Sequence, residues 1–281
     1  MLVAPAFSHQ QPSRRYRDDA PPAIQLPRTL ARPVFTEVSR EALLAAAPDL
    51  AAVPAEFIRH SLLAKAPQMQ AGIAALLPLL PKSIPKSDLP SILTVPLRAH
   101  PSYPTHVLAI TAASSSKSRS EPVSLFPVHP VVLAAHCAKL PRLPPAQPDS
   151  RSCATLPVLS FSLPSLQAFT ILREYMYTHR LDSALAALLP LPPAFLQTLG
   201  PSGLSDAIAA ALSSRNAMHA LAAHLAASSG SSVSALLAHA AHVKELWHDM
   251  VALGLYDDEL WDALDLAWAV VLGAFNLVAA Q

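Results

Sequence analysis

The sequence predicts an α+β protein in which a small sheet of about three strands carries helices. An N-terminal helical segment and a C-terminal helical region are expected to flank this sheet. Three short aliphatic or β-branched runs between residues 106 and 161 predict the strands, and helical periodicity dominates the chain after residue 181. Because the chain has 29 prolines and 6 glycines, we expect short elements joined by stiff, extended connections.

Composition limits the classes of function. Of the 281 residues, 52% are hydrophobic and 14% are charged, which argues against a wholly disordered chain. The net charge of +1 supplies no overall basic field, so direct nucleic-acid binding is not expected. The charge is unevenly placed: residues 1–200 carry 18 Lys and Arg against 11 Asp and Glu, whereas residues 201–281 carry 2 against 8.

The first third of the chain is predicted to hold a tail and a helical segment. Residues 1–40 contain prolines and polar residues without periodicity, which is typical of a flexible tail. Residues 41–103 are expected to form an N-terminal helical segment followed by a Pro-rich linker. Two short helices are predicted here, at 55–63 and 68–80, each ended by proline.

Residues 104–189 change period and are predicted to form the sheet domain. The runs at 106–110 and 123–129, separated by a Ser- and Lys-rich loop, indicate a hairpin. A helix is expected near 131–139, then a third strand near 156–161. Apolar residues at helical spacing predict a helix over 166–177.

Residues 190–281 are predicted to be helical, with identifiable caps. Ser205, Ser232 and either Ser214 or Asn216 stand where each could accept a hydrogen bond from the first turn of a helix. Gly254 is placed to end a helix in the left-handed conformation. Asp257 is predicted to cap the last helix, whose first turn is acidic, as the helix dipole favours.

The last helix carries the candidate partner-binding residues. Apolar positions recur in steps of three and four along a seam that contains Trp261, Leu264, Trp268 and Phe275. The flanking positions are also apolar, so the helix is expected to be buried in its own domain or docked on a partner. Its uncharged stretch, 266–280, is shorter than the roughly 20 residues of a membrane-spanning helix. We favour the core alternative and expect no membrane association.

The acidic opening of that helix leaves two alternatives. Its carboxylates are expected either to pair with the basic front half of this chain or to steer a basic partner. We slightly favour pairing within the chain. The residues concerned are Asp257, Asp258, Glu259, Asp262 and Asp265.

The sequence shows no catalytic or metal-binding motif. No glycine lies between Gly72 and Gly200, so phosphate-binding loops are excluded from that stretch. Cys137 and Cys153 do not form a C-x-x-C pair and suggest free thiols in a reducing compartment. Histidines between 239 and 248 offer an incomplete ligand set. We therefore expect a protein that is not an enzyme and has no metal, cofactor or catalytic residue.

The central domain resembles the BTB/POZ family. The stretch from residue 126 to 137, FPVHPVVLAAHC, is similar to that family's strand ending in Phe-x-x-His and the helix that follows it. Residues 163–181 resemble the aromatic-rich helix that ends in a Tyr-Thr-Gly turn, with His179 in place of glycine. The resemblance implies a BTB/POZ-like sheet with these structural landmarks: Phe126, His129, Leu133, Phe169, Leu172, Tyr175 and Tyr177.

A narrower resemblance covers most of residues 40–281. The segment LPVLSFSLPSLQAFTILREYMYTHRLDSALAALLP, its Pro-rich surroundings and its Ala-rich helical tail resemble the basidiomycete clampless family. That resemblance implies a non-catalytic regulator of clamp-cell formation and fungal sexual development, acting through protein–protein contacts in the nucleus or cytoplasm. Homeodomain transcription factors or a second copy in a homodimer are the expected partners. The BTB/POZ resemblance leaves an alternative, a substrate adaptor of a cullin ubiquitin ligase.

Overall fold

The computed structural model describes residues 25–50, 52–96, 102–112, 122–146, 153–199 and 204–280. The strands are β1 (Ser83–Pro85), β2 (Ile92–Val95), β3 (His106–Ala112), β4 (Pro122–Val128) and β5 (Ala154–Leu163). The helices are α1 (Arg40–Ala46), α2 (Ala55–Leu63), α3 (Ala66–Leu76), α4 (Pro130–His136), α5 (Leu166–Thr178), α6 (Leu181–Leu188), α7 (Pro193–Thr198), α8 (Leu204–Ser213), α9 (Arg215–Ser228), α10 (Val233–Leu253) and α11 (Asp258–Ala279). The predicted α+β class is confirmed.

The sheet has five described strands in the order β1-β4-β3-β5-β2. β3 and β4 form the predicted hairpin, with His106 opposite Val128, and β5 runs parallel to β3 on its other side. The prediction of about three strands is corrected, because β1 adds to β4 and β2 adds to β5 as short antiparallel edges. Both edges lie in a proline-punctuated stretch, where missing N–H groups make strands hard to predict from sequence.

Alternation along β3 separates two apolar layers. Leu108 and Ile110 face the main core, which contains Phe169 of α5. Val107 and Ala109 face a second, smaller cluster, to which α3 and β2 contribute. All four β3 side chains are fully buried, so β3 is the central strand of the fold.

The C-terminal helices begin and end where capping chemistry places them. The side chains of Ser214, Ser232 and Asp257 each accept a backbone N–H three residues on, which confirms the predicted starts of α9, α10 and α11. Gly254 ends α10 with φ +64°, also as predicted. Ser205 lies inside α8, which begins at Leu204, so the predicted start after Ser205 is late by two residues.

Helix α11 lies in the core of the C-terminal region. It packs against α6, α8, α9 and α10. Trp261, Leu264 and Trp268 are buried, and Phe275 is half-buried. The prediction that these three residues form a docking face is therefore corrected, because this chain already covers their apolar surface. The structure agrees with the alternative that α11 is a core helix.

The apolar composition of α11 is typical both of a membrane-spanning helix and of a buried core helix. Among the described helices, α11 alone is by itself both long and apolar enough to cross a membrane; α9 and α10 meet that combined requirement only as a pair, across a 119° bend. A buried helix of a globular core has the same composition. The contacts of α11 with four helices account for its hydropathy within the fold.

Residues 25–35, here called the strap, lie against α10 and α11 without forming a helix or strand. Residues 1–24 of the predicted tail lie outside the described residues. For its described part, the prediction of a flexible tail is corrected, because contacts with the C-terminal region hold this segment in place. Leu30 is its buried anchor, and Arg32 forms ion pairs with Asp262 and Asp265. These ion pairs match the predicted attraction between the basic front half and the acidic last helix.

Candidate protein-interaction site

The aromatic helix α5 holds the hairpin side of the fold together. Phe169 and Leu172 are fully buried, as is Leu133 of α4. The ring of Phe126, on β4, meets the ring of Phe169 edge-on at 5.1 Å, and the Arg173 guanidinium lies 5.3 Å from the Phe126 ring centre. These predicted landmarks lie together, with structural roles.

The two tyrosines of α5 each bind the residue that immediately precedes another helix. The Tyr177 hydroxyl accepts the backbone N–H of His129, which precedes α4, at 3.0 Å. The same hydroxyl lies 2.9 Å from His129 Nδ1, and His129 Nε2 lies 3.2 Å from the Ser102 carbonyl oxygen. Burial lowers the pKa of His129 and raises the pKa of Tyr177 to about 12, so both groups are neutral at pH 7.

Tyr175 makes the corresponding contact with the start of α11. Its hydroxyl donates to Asp257 Oδ1 at 2.9 Å, while the same oxygen accepts the Leu260 N–H at 3.1 Å. Burial, and then the Asp257 carboxylate, raise the pKa of Tyr175, which keeps the phenol protonated. Tyr175 and Tyr177 therefore bind at the starts of two different helices, α11 and α4.

His179 ends α5 in an unusual conformation and leads to a buried histidine. Its φ of 49° is left-handed, in a position that glycine usually occupies at a helix end. Its ring stacks on Tyr175 with centroids 5.1 Å apart, and its Nε2 lies 2.9 Å from Nε2 of His136. A residue held in a rarely populated conformation and tied into a polar network is a candidate for function.

The histidine pair is neutral and its proton order follows from its partners. His136 Nδ1 lies 2.8 Å from the Val132 carbonyl, which can only accept, so Nδ1 carries the proton. His136 Nε2 therefore accepts, and His179 donates to it. Burial lowers the pKa of His136 to about 4 and also lowers that of His179, against the opposing effect of Asp257.

An open cleft lies above this pair. Two cavities of about 460 and 510 Å³ share the lining residues Phe35, Glu56, Arg59 and Tyr256. His136 lines the first cavity and His179 lines the second, so the histidine pair connects the walls of the two cavities. We call this space the histidine cleft; α2, the end of the strap, and residues 254–258 form its walls.

The walls carry both signs of charge and an exposed aromatic ring. Phe35 is 60% exposed and meets the ring of Tyr256 edge-on at 5.2 Å. Half-buried Arg59 makes no hydrogen bond or ion pair within the described part of the chain. The other charged or titratable residues lining the cleft are Glu37, Arg40, Glu56, His60, Asp257 and Asp258. An aromatic ring beside an unpaired guanidinium is typical of a surface that binds protein.

The cleft contains residues that sequence patterns did not single out. Arg59 and Phe35 belong to stretches without a motif, and only the fold brings them to the histidine pair. His179 carried a signal, a non-glycine residue where the BTB/POZ pattern has glycine. Cys137 and Cys153 form no disulfide bond in the described ranges, and burial raises the pKa of the Cys137 thiol to about 12. No group of three or more His, Cys, Asp or Glu residues is arranged for a metal ion in the described ranges.

The predicted partner-binding residues of α11 lie elsewhere. Trp261 is buried, and its indole N–H has no acceptor among the described residues. Leu264, three residues further along α11, is also buried. Trp268 is 2% exposed, yet its N–H donates to the Pro27 carbonyl at 3.1 Å. Only Trp268 of this set therefore contacts the strap by a hydrogen bond, and half-buried Phe275 packs against the main core.

Comparison with known proteins identifies the chain's relatives. The Clampless protein 1 N-terminal domain matches residues 33–164, and the Clampless protein 1 C-terminal domain matches residues 182–281. No curated protein and no solved structure matches the chain. The two domain matches follow one another along most of the sequence and include α11 and the lining of the histidine cleft except His179, which lies between them. This chain belongs to the clampless protein family, whose domains indicate a role in regulating clamp formation.

Proposed function

We propose that this protein is a non-catalytic regulator of clamp-cell formation and fungal sexual development that acts by binding other proteins. Homeodomain transcription factors are the proposed partners, in the nucleus or cytoplasm, without direct contact to nucleic acid or membrane. The proposal builds on membership of the clampless family. A homodimer is the second form of partnership that the proposal allows.

The observation that carries the proposal is the histidine cleft. Its unpaired Arg59, exposed Phe35 and flanking carboxylates offer charge of both signs and an aromatic contact in one open space. Interface energy concentrates on arginine and aromatic residues that a partner buries. A protein segment with complementary charge and an apolar side chain suits such a cleft better than a small polar substrate does.

The proposal is tested by replacing Arg59 in a clamp-forming strain. Arg59→Glu reverses the charge on the cleft wall, and Arg215→Glu makes the same change at an exposed position that does not line the cleft. We expect clamp cells to be lost or sharply reduced with Arg59→Glu and to form normally with Arg215→Glu. Immunoblots must show equal protein levels. Normal clamp formation in both strains would remove the cleft from the function.

Copurification identifies the partner class. The wild-type protein, expressed during mating, is expected to copurify with homeodomain transcription factors, and Arg59→Glu is expected to lose them. If both proteins retain the same homeodomain factors, the cleft does not bind them.

The order of elements in the sheet domain favours a second candidate. Hairpin β3–β4, helix α4, parallel strand β5 and helix α5 follow in the order that the sequence pattern predicted, and the stretches on which the BTB/POZ resemblance rests lie within them. We therefore keep a substrate adaptor of a cullin ubiquitin ligase as the alternative. Copurification with a cullin scaffold, and without homeodomain factors, would favour the adaptor over the transcriptional regulator.

A further inference from the structure

The strap is held almost entirely by side chains of α10 and α11. The Trp247 indole donates to the Ala31 carbonyl at 2.8 Å, and Trp268 donates to the Pro27 carbonyl. Arg32 Nε lies 3.0 Å from Asp265 Oδ2, and its terminal nitrogen lies 2.6 Å from Asp262 Oδ1. We call the four residues that hold the strap the strap seat: Trp247, Asp262, Asp265 and Trp268.

The strap seat lies on two helices of the core. Asp262, Asp265 and Trp268 follow each other at intervals of three residues on α11, so they share one face of the helix. Helices α10 and α11 pack against each other and against other helices of the core. The backbone positions of the two tryptophans and the two aspartates are therefore set by the packing of the core helices and not by the strap.

The contacts have the chemistry of peptide recognition. The indoles bind backbone carbonyls, which any residue supplies, and the carboxylates select a guanidinium. Aromatic grooves that bind extended, proline-containing peptides combine contacts of this kind. The strap supplies a matching pattern: buried Leu30, then Ala31, Arg32 and Pro33.

The strap fills its seat incompletely. Leu30 is its one buried residue in the described range, whereas Val34 is 90% exposed. No backbone–backbone hydrogen bond joins residues 25–35 to the rest of the described chain. The strap can therefore leave without breaking a helix or a sheet ladder, and a better ligand would bury more apolar surface.

We propose that the strap seat binds an extended segment of a partner protein with an apolar residue, an arginine and a proline in the order of Leu30, Arg32 and Pro33, and that the strap occupies this site until such a segment displaces it. This inference deepens the proposed function by naming a partner chemistry. Release of the strap also moves Phe35, which walls the histidine cleft. Displacement at the seat therefore changes the cleft.

The test uses the full chain and a peptide with its own strap sequence, residues 25–36, labelled for fluorescence anisotropy. Arg32→Glu places a third carboxylate against Asp262 and Asp265 and releases the strap. We expect the wild-type peptide to bind the Arg32→Glu chain at least 10-fold more tightly than the wild-type chain. A peptide with alanine at all positions except Leu30, Arg32 and Pro33 should also bind, whereas a peptide with Arg32→Glu should not.

Two further variants make the test specific. Asp262→Asn with Asp265→Asn, added to the Arg32→Glu chain, should weaken peptide binding at least 10-fold. If Arg32→Glu does not melt cooperatively, Arg32→Ala provides strap release without added charge. Equal peptide affinity for wild-type and released chains that both melt cooperatively overturns the inference, as does binding that ignores the two aspartates.

Light scattering of the wild-type chain measures its oligomeric state and shows whether its own strap or the strap of a second copy fills the seat. A monomeric wild-type chain supports a seat filled in cis. A dimer that the peptide dissociates overturns the proposal, because the seat would then bind the strap of another copy. Failure of peptide binding leaves the clamp-cell test of Arg59→Glu untouched, so the two proposals fail separately.

Discussion

Asp249 provides a sharp test of the packing between α10 and α5. It is fully buried, and its Oδ1 accepts the Ser165 N–H at 3.0 Å, while its Oδ2 has no hydrogen-bond partner among the described residues. Glu245, one turn earlier, accepts the Ser165 hydroxyl at 2.7 Å. Burial, and secondarily the nearby Glu245, raise the pKa of Asp249 from 3.8 to about 7, against the stabilising Ser165 N–H.

The direction and size of the effect follow from this pKa. Because the pKa of Asp249 is raised in the folded state, its contribution to stability is complete below about pH 4. That contribution declines as pH rises and is lost above about pH 7. A difference of about three pKa units corresponds to at most about 4 kcal/mol. Asp249→Asn keeps an oxygen for the Ser165 N–H and cannot ionise, so this decline should disappear.

Urea unfolding of both proteins at intervals from pH 4 to pH 8 measures the effect. We expect Asp249→Asn to gain stability relative to wild type by about 1 kcal/mol per pH unit across the middle of this range. Taking the difference cancels the buried histidines, whose lowered pKa values destabilise the fold as pH falls. Exposed Asp88→Asn is the control and should show no such trend. If the difference in unfolding free energy between Asp249→Asn and wild type stays constant to within about 0.5 kcal/mol from pH 4 to pH 8, the raised pKa of Asp249 is refuted.

Two other substitutions and one deletion test the core. Leu172→Ala should lower the free energy of unfolding by about 2–5 kcal/mol in urea titrations, and a change below about 0.5 kcal/mol would mean that α5 faces the wrong way. Tyr175→Phe removes the hydrogen bond to Asp257 and should lower it by about 1.5–3 kcal/mol; an unchanged midpoint would contradict that bond. Deleting residues 256–281 removes α11 from the core and should abolish the cooperative thermal melt, whereas a deletion that melts cooperatively would show that α11 is peripheral.

The features predictable from sequence are those set by neighbouring residues. Ser232 and Gly254 delimit α10 because a serine hydroxyl caps a first turn and glycine tolerates a positive φ. The hairpin of β3 and β4 follows from two aliphatic runs joined by a polar loop. In each case the signal and the structure lie within a few residues of one another.

Features that depend on distant contacts were not predictable residue by residue. Charge asymmetry indicated attraction between the two ends of the chain, but it did not select Arg32 from 18 basic residues in the first 200. The strands β1 and β2 are stabilised by their partners β4 and β5 and have little pattern of their own. The histidine cleft joins residues 35, 59, 136, 179 and 256, whose proximity is a product of tertiary packing.

A substitution of His179 can distinguish a structural role from a functional role more clearly than a substitution of any other residue of the cleft. A non-glycine residue in the left-handed conformation is strained by about 1–2 kcal/mol. The hydrogen bond between His179 and His136 contributes about 0.5–1.5 kcal/mol in return. Ser231 is the other non-glycine residue with positive φ in the described ranges, at 53°, and it does not line the cleft. It is therefore a matched control.

His179→Gly should leave the free energy of unfolding within about 1 kcal/mol of wild type, because relief of backbone strain offsets the lost hydrogen bond and ring contact. Ser231→Gly should stabilise the protein by about 1 kcal/mol, because it relieves strain and removes no such contact. In a clamp-forming strain, we expect His179→Gly to reduce clamp formation and Ser231→Gly to leave it unchanged. A loss of more than about 2 kcal/mol would make His179 a structural residue, and normal clamps at wild-type stability would exclude its ring from partner binding.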